Sequence, residues 1–185
     1  MFKNKNILIG VTGGISAYKV CDIINSLKHK GANINVIMTH HATKFITPLT
    51  LETLSKNKVY YEMFNDEYES EVKHISLANN ADIVLVSPCS ANVISKLANG
   101  IADDMLTTTL LATKAKVIIA LAMNNNMYEN PIIQDNINKL KKFGYKFIEP
   151  VLGSLACGYI AKGKLASKET IIEYLEKELR GDNND

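Results

Sequence analysis

Apolar runs at residues 7–11, 34–38, 81–88 and 116–121 set the rhythm of this chain, and a stretch with helical spacing follows most of them. Runs this short and this unbroken predict strands buried on both faces, as in a parallel sheet. After the first run, Ala17, Val20, Ile23, Ile24 and Leu27 recur at helical spacing up to Gly31, which stands where a C-terminal cap belongs. Residues 39–55 predict one or two short helices, with Thr47-Pro48 as a start because proline suits a first helical turn. A helix over 93–98 closes at Asn99-Gly100, and Asp103-Asp104 opens another that ends near Ala112. Ile132, Ile133, Ile137, Leu140 and Phe143 mark a helix stopping at Gly144, then a strand at 145–148 and a last amphipathic helix at 169–179. Residues 57–72 carry Tyr60, Tyr61, Phe64 and Tyr68 among acids and are expected to wrap the surface. The glycine-rich residues 153–164 are expected to be irregular, and 181–185 a disordered tail. Strands alternating with helices predict one α/β domain over residues 1–180.

Composition narrows the picture. The chain has 185 residues, 46% of them hydrophobic, enough for one real core. A net charge of +2 with scattered lysines gives no nucleic-acid groove, and no apolar run approaches the roughly 20 residues of a membrane span. Arg180 is the only arginine, so an anion must be held by lysine, backbone N–H groups or helix N-termini. Cys21, Cys89 and Cys157 are odd in number and never paired as Cys-x-x-Cys, which excludes a zinc site and a disulfide framework and fits a reducing, cytoplasmic setting.

Candidate chemistry sits where strands end. The fourth run leads into Met123-Asn124-Asn125-Asn126-Met127-Tyr128, and a strand ending in carboxamides either holds a carboxylate or ring edge, or simply caps a helix. Ligands of open α/β sheets lie beyond the carboxyl ends of the strands, where this stretch falls. Thr12-Gly13-Gly14-Ile15-Ser16 offers backbone N–H groups to a phosphate, or uses glycine for turn geometry alone. Its spacing is not Gly-x-Gly-x-x-Gly, and the second strand ends in Met38-Thr39 without an acid for a ribose, which argues against NAD and leaves a mononucleotide. Pro88-Cys89-Ser90-Ala91-Asn92 is small enough for a flat ring to approach the backbone. Asp103 and Asp104 read as complements of a helix dipole rather than metal ligands. Cys21 reads as core packing, whereas Cys157, on a loop, is placed to close on a substrate and deliver a proton.

Four of these stretches, in this order, resemble the flavin-dependent cysteine decarboxylases. They are the Gly–Gly opening from Val11 to Lys19, His74 before the next core strand, the Pro-Ala-Ser-Ala-Asn-Thr motif at 88–93, and the Pro-x-Met-Asn-x-x-Met-Trp motif at 121–128. Leu155-Ala156-Cys157-Gly158 is similar to the loop of the coenzyme A branch. The resemblance spans about 6–179 and implies a three-layer Rossmann-like (flavodoxin-like) domain, with a central parallel sheet and helices on both faces. It implies FMN held by Gly13, Gly14, Ile15, Ser16, Thr39, Phe45, Ser90, Ala91 and Asn92. It also implies His74, Asn124 and Cys157 as catalytic residues, with Asn124, Met127 and Ala156 on the substrate and no metal. The implied reaction converts phosphopantothenoylcysteine to phosphopantetheine: thiol oxidation to a thioaldehyde, loss of CO2, and re-reduction with Cys157 as proton donor. Implied alternatives are a peptidyl-cysteine decarboxylase and a non-catalytic flavin-binding regulator. A homo-oligomer, trimer or dodecamer, is implied as well. The chain departs from the family at Cys89, Val93, Leu121 and Tyr128, and at Tyr159, Ala161, Lys162 and Lys164, where Asp, Gly, Pro and Arg are favoured. Tyr128 is expected to keep an aromatic wall, and Lys164 a charge without arginine's fork.

Overall fold

The computed structural model describes residues 2–64 and 71–181. Strand β1 (Asn6–Val11) runs into a 3-10 turn (Ile15–Lys19) and helix α1 (Val20–His29), and β2 (Asn33–Met38) follows. Gly31 makes the bend between α1 and β2 at φ +88°, a left-handed conformation that suits glycine. Helix α2 (Pro48–Ser55) begins where Thr47 accepts the Thr50 N–H, and it leads to the two-residue edge strand β3 (Val59–Tyr60). Then come α3 (Lys73–Asn80), β4 (Ile83–Cys89), α4 (Ala91–Ala98), α5 (Met105–Ala112) and β5 (Lys116–Leu121). The chain continues through α6 (Asn125–Glu129), α7 (Pro131–Lys142), β6 (Lys146–Ile148), β7 (Val151–Ser154), β8 (Ile160–Lys164) and α8 (Lys168–Gly181).

Six strands form one parallel sheet in the order β3-β2-β1-β4-β5-β6, the doubly wound Rossmann order. The unbroken apolar runs are explained by two cores, one on each face. Ile7, Ile9, Val11, Ile83, Leu85, Ile118 and Ala120 face α1 and α8, meeting Val20, Ile24, Leu27, Ile171 and Leu175. Their neighbours Leu8, Val84, Val86, Val117, Ile119 and Leu121 face the other way, onto Leu77, Val93, Leu97, Leu106, Leu110, Ile137 and Leu140. Successive strand side chains point to opposite faces, so every residue of these strands needs an apolar partner. Strand order reverses between β1 and β4, and the crevice beyond their carboxyl ends is where such folds bind ligands.

Two expectations are corrected. Residues 153–164 are regular: β7 and β8 pair antiparallel, Ser154 opposite Ile160, outside the main sheet. The glycines serve that hairpin instead of breaking it. Gly158 turns the tip at φ +88°, and a Cβ on Gly153 would lie 2.7 Å from Cδ of Lys164, whose side chain crosses it. Val59–Tyr60 is a short edge strand with Val59 buried, where residues 57–72 were expected to wrap the surface; His74, ahead of β4 as expected, lies in helix α3. Gly181 is the last residue of α8; Tyr68 and residues 182–185 lie outside the described residues.

Candidate active site

Thr12 stitches the reversal point together. Its hydroxyl donates to the Pro88 carbonyl (2.8 Å) and accepts the Ser90 N–H (3.0 Å), so the turns leaving β1 and β4 are held side by side. Ser90 then caps α4, its Oγ accepting the Val93 N–H at 3.5 Å. On the other flank the Thr39 N–H donates to the Val11 carbonyl (2.9 Å), which brings the exit of β2 beside that of β1. Gly13 presses against that exit: a Cβ there would lie 2.6 Å from the Cβ of His41.

The exit of β5 closes the opposite wall. The Ala122 N–H donates to the Cys89 carbonyl (3.2 Å) and the Met123 N–H to the Gly163 carbonyl (3.0 Å), which hangs the β7–β8 hairpin from the end of β5. A Cβ on Gly163 would sit 2.2 Å from the Met123 oxygen, so only glycine lets β8 approach so closely. The hairpin tip carries Leu155-Ala156-Cys157-Gly158, and the Leu155 N–H bonds the Tyr159 carbonyl (2.9 Å) across it. Asn124 caps α6 with its Oδ1 on the Asn126 N–H (2.9 Å), leaving Nδ2 to reach Cys157 Sγ at 3.4 Å and Tyr159 Oη at 3.0 Å.

These parts enclose a cleft of about 720 Å³. Of the residues expected in the site, Gly13, Gly14, Ile15, Ser16, Thr39, Ser90, Ala91, Asn92, Asn124, Met127, Ala156 and Cys157 all line it. Phe45 and His74 do not. Phe45 is half-exposed after the β2 exit, and His74 sits in the first turn of α3, which packs against α5. Tyr128 is no wall of the cleft either. Its hydroxyl donates to Glu149 and its ring lies under Lys162 (5.0 Å), bracing β8 against α6.

Lys19, Lys164 and His41 also line the cleft, and among the described residues no carboxylate does. Burial and then the neighbouring Lys164 charge hold the Lys19 ammonium below the usual lysine range, as expected where positive charge faces positive charge without a counter-ion. Lys19 escaped the sequence reading because one lysine among many carries no signal; the Gly13-Gly14 turn just before it was the available clue. The three thiols separate cleanly. Cys89 is fully buried and burial pushes its thiol up; Cys21 is half-buried and raised by burial and Asp22; Cys157 is exposed on the cleft. Asp103 and Asp104 are bound by Lys96 at 2.6 and 3.2 Å; Asp104 is the N-cap of α5 and closes its capping box, so neither acid lies in the helix's first turn where a dipole complement was expected. No helix among the described residues is long and apolar enough to cross a membrane.

Comparison with known proteins gives a consistent picture. A family model described as Flavoprotein matches residues 1–180. The chain is 51% identical over 177 residues to the coenzyme A biosynthesis bifunctional protein CoaBC of Bacillus subtilis (strain 168), covering 96% of this chain and 44% of that one. It therefore spans about half the length of that relative. It is 47% identical over 177 residues to the probable phosphopantothenoylcysteine decarboxylase of Streptococcus mutans, covering 95% of this chain and 99% of the relative. Among solved structures, the FMN-dependent cysteine decarboxylase SpaF superposes with a TM-score of 0.84 at 27% identity, covering 97% of this chain and 99% of that one.

Proposed function

Because the chain belongs to the flavoprotein family, we propose that it is an FMN-dependent phosphopantothenoylcysteine decarboxylase, forming phosphopantetheine for coenzyme A synthesis. The observation that carries this reading is the exposed Cys157 thiol held against the Asn124 carboxamide, across a cleft from the Gly13–Gly14 turn. The 47% identity to a probable decarboxylase of matching length supports the substrate.

The cleft fits the cofactor chemically. Its volume is in the range of small-molecule sites, its floor is glycine, serine and alanine, and its charge is positive. Gly13, Gly14, Ile15, Ser16 and Thr39 would hold FMN on the β1 and β2 side, with Ser90, Ala91 and Asn92 on the β4 side. Bound there, FMN would supply a reversible two-electron acceptor for the substrate thiol, and oxidation of that thiol to C=S would leave the carboxylate β to it and easy to lose.

The chain's own residues do the rest. An Asn124 side-chain N–H orients the departing carboxylate, and Met127 and Ala156 line the cleft with it. The Cys157 thiol gives the proton that accompanies the returning electrons, on a hairpin able to exclude water. Lys19 and Lys164 meet phosphate in a lining that offers it no repulsion. His74 assists the oxidative half. Since it stands outside its own chain's cleft, it acts in the cleft of a neighbouring subunit, where Phe45 also completes the flavin wall. The working form is accordingly a homo-oligomer, a trimer or a dodecamer assembled from four trimers, in the cytoplasm.

The test is a mass spectrum of phosphopantothenoylcysteine after incubation with FMN-loaded protein. Loss of CO2 alone is the expected result. Loss of CO2 plus two hydrogens would restrict the activity to its oxidative half. An unchanged mass would sink the proposal and turn attention to peptides ending in cysteine.

A further inference from the structure

Two of the three consecutive asparagines, Asn125 and Asn126, have no part in the reaction above, nor has Tyr159, which stands where relatives favour Asp. The structure joins them. Asn125 Nδ2 donates to Asn126 Oδ1 (3.0 Å), which leaves Asn125 Oδ1 to accept the Tyr159 hydroxyl proton at 2.8 Å. With its proton committed, the phenol has only lone pairs to offer Asn124, and it accepts the Asn124 Nδ2–H at 3.0 Å.

We propose that Tyr159 is the positioning residue of the reacting pair: it fixes the plane of the Asn124 carboxamide so that its second N–H points at Cys157 and the incoming carboxylate. This rests on the reading of Asn124 and Cys157 as the groups that meet substrate. A primary amide is planar, so holding its oxygen and one N–H leaves the other N–H no freedom. Asn124 Oδ1 is held by the Asn126 N–H (2.9 Å) and one N–H by Tyr159. The reversed amide is excluded at both ends: nitrogen would face a backbone donor, and oxygen would face a phenol whose proton is turned away.

Tyr159 does this from the hairpin itself. Its carbonyl accepts the Leu155 N–H (2.9 Å) and closes the turn that carries Cys157, while its hydroxyl grips α6 through Asn124 and Asn125. One residue thus sets both the position of the thiol and the orientation of the amide that faces it. When a carboxylate enters, Asn124 releases the sulfur, a weak acceptor at 3.4 Å, and keeps its tyrosine.

The experiment uses FMN-loaded protein labelled with 15N-asparagine, and compares wild type with Tyr159→Phe, which removes the hydroxyl and keeps the ring. In the wild type the two Asn124 side-chain protons face oxygen and sulfur and are widely separated in the NMR spectrum; in Tyr159→Phe the separation narrows. In the substrate assay, Tyr159→Phe loses about fivefold in kcat, the scale of one hydrogen bond, with little change in KM. Its product also shifts toward the species two hydrogens short. Asn125→Ala frees the tyrosine proton and moves both readouts the same way by less, which guards against a folding defect in the first variant. A wild-type amide separation in Tyr159→Phe, or an unaltered product ratio beside an altered separation, overturns the proposal. Should wild type convert nothing, the reading of the reaction fails and the amide separation alone decides whether Tyr159 holds Asn124.

Discussion

At the scale of single residues, the site depends on places where a side chain is missing as much as on those where one is present. Gly163 is the clearest case. Its backbone lies so close to Met123 that an added Cβ would fall 2.2 Å from a carbonyl oxygen, a main-chain atom that cannot swing aside. Gly163→Ala should therefore push β8 off the end of β5 and carry Cys157 away from Asn124. The expected outcome is a loss of full turnover of tenfold or more. The stability cost is about 1–3 kcal/mol, as for an overpacked contact, leaving the main sheet folded. Steady-state kinetics beside a thermal melt checks both halves. Cys157 owes its distinctness from the other thiols to the same local geometry. Cys89 is 0% exposed under the β4 exit, whereas Cys157 stands at a turn made by Gly158.

At the scale of elements, caps decide where helices begin, and several were legible in the sequence. Thr47-Pro48 starts α2 and Asp104 starts α5, as the residue types require. Asp104→Ala removes the capping box of α5 and one of the two carboxylates on Lys96. We expect a loss of about 1 kcal/mol, seen as a melting temperature lower by about 2–4 °C, with flavin content unchanged because Asp104 is no part of the cleft. The strands were equally legible, since two-sided burial writes itself as unbroken apolar runs. The β7–β8 hairpin was not. Its exposed faces give no apolar alternation, and its three glycines read as breakers until the close approaches they permit are seen. Helix α3 was missed because its eight residues carry only Leu77 and Ala78 as buried positions. Most of the cleft-lining residues named for the site, and the Asn124–Cys157 pair, were recognisable from motifs, whereas the neighbours of Lys19, Tyr128 and Tyr159 are seen only in three dimensions.

At the scale of the whole molecule, one chain assembles most of a site but not His74. Helix α3 leads into β4, and its first turn, with His74, stays outside the cleft. If the proposed oligomer lends His74 across subunits, two inactive variants should repair each other. His74→Asn and Asn124→Ala, each inactive alone, are expected to recover activity in about one quarter of the sites when refolded together at equal amounts, the fraction for random neighbours in a closed ring. Recovery of none would place His74 and Asn124 in the same subunit's service. The hairpin has a separate importance. β7 and β8 pair only with each other, outside the six-stranded sheet, and Cys157 and Tyr159 both ride on that one appendage. Apart from Gly163, which ties β8 to the end of β5, mutation at the hairpin tip disturbs no register of the six-stranded sheet. If Cys157 finishes the reaction as proposed, descent can rewrite that ending by editing a few consecutive codons, while the turns leaving β1 and β4 are inherited intact.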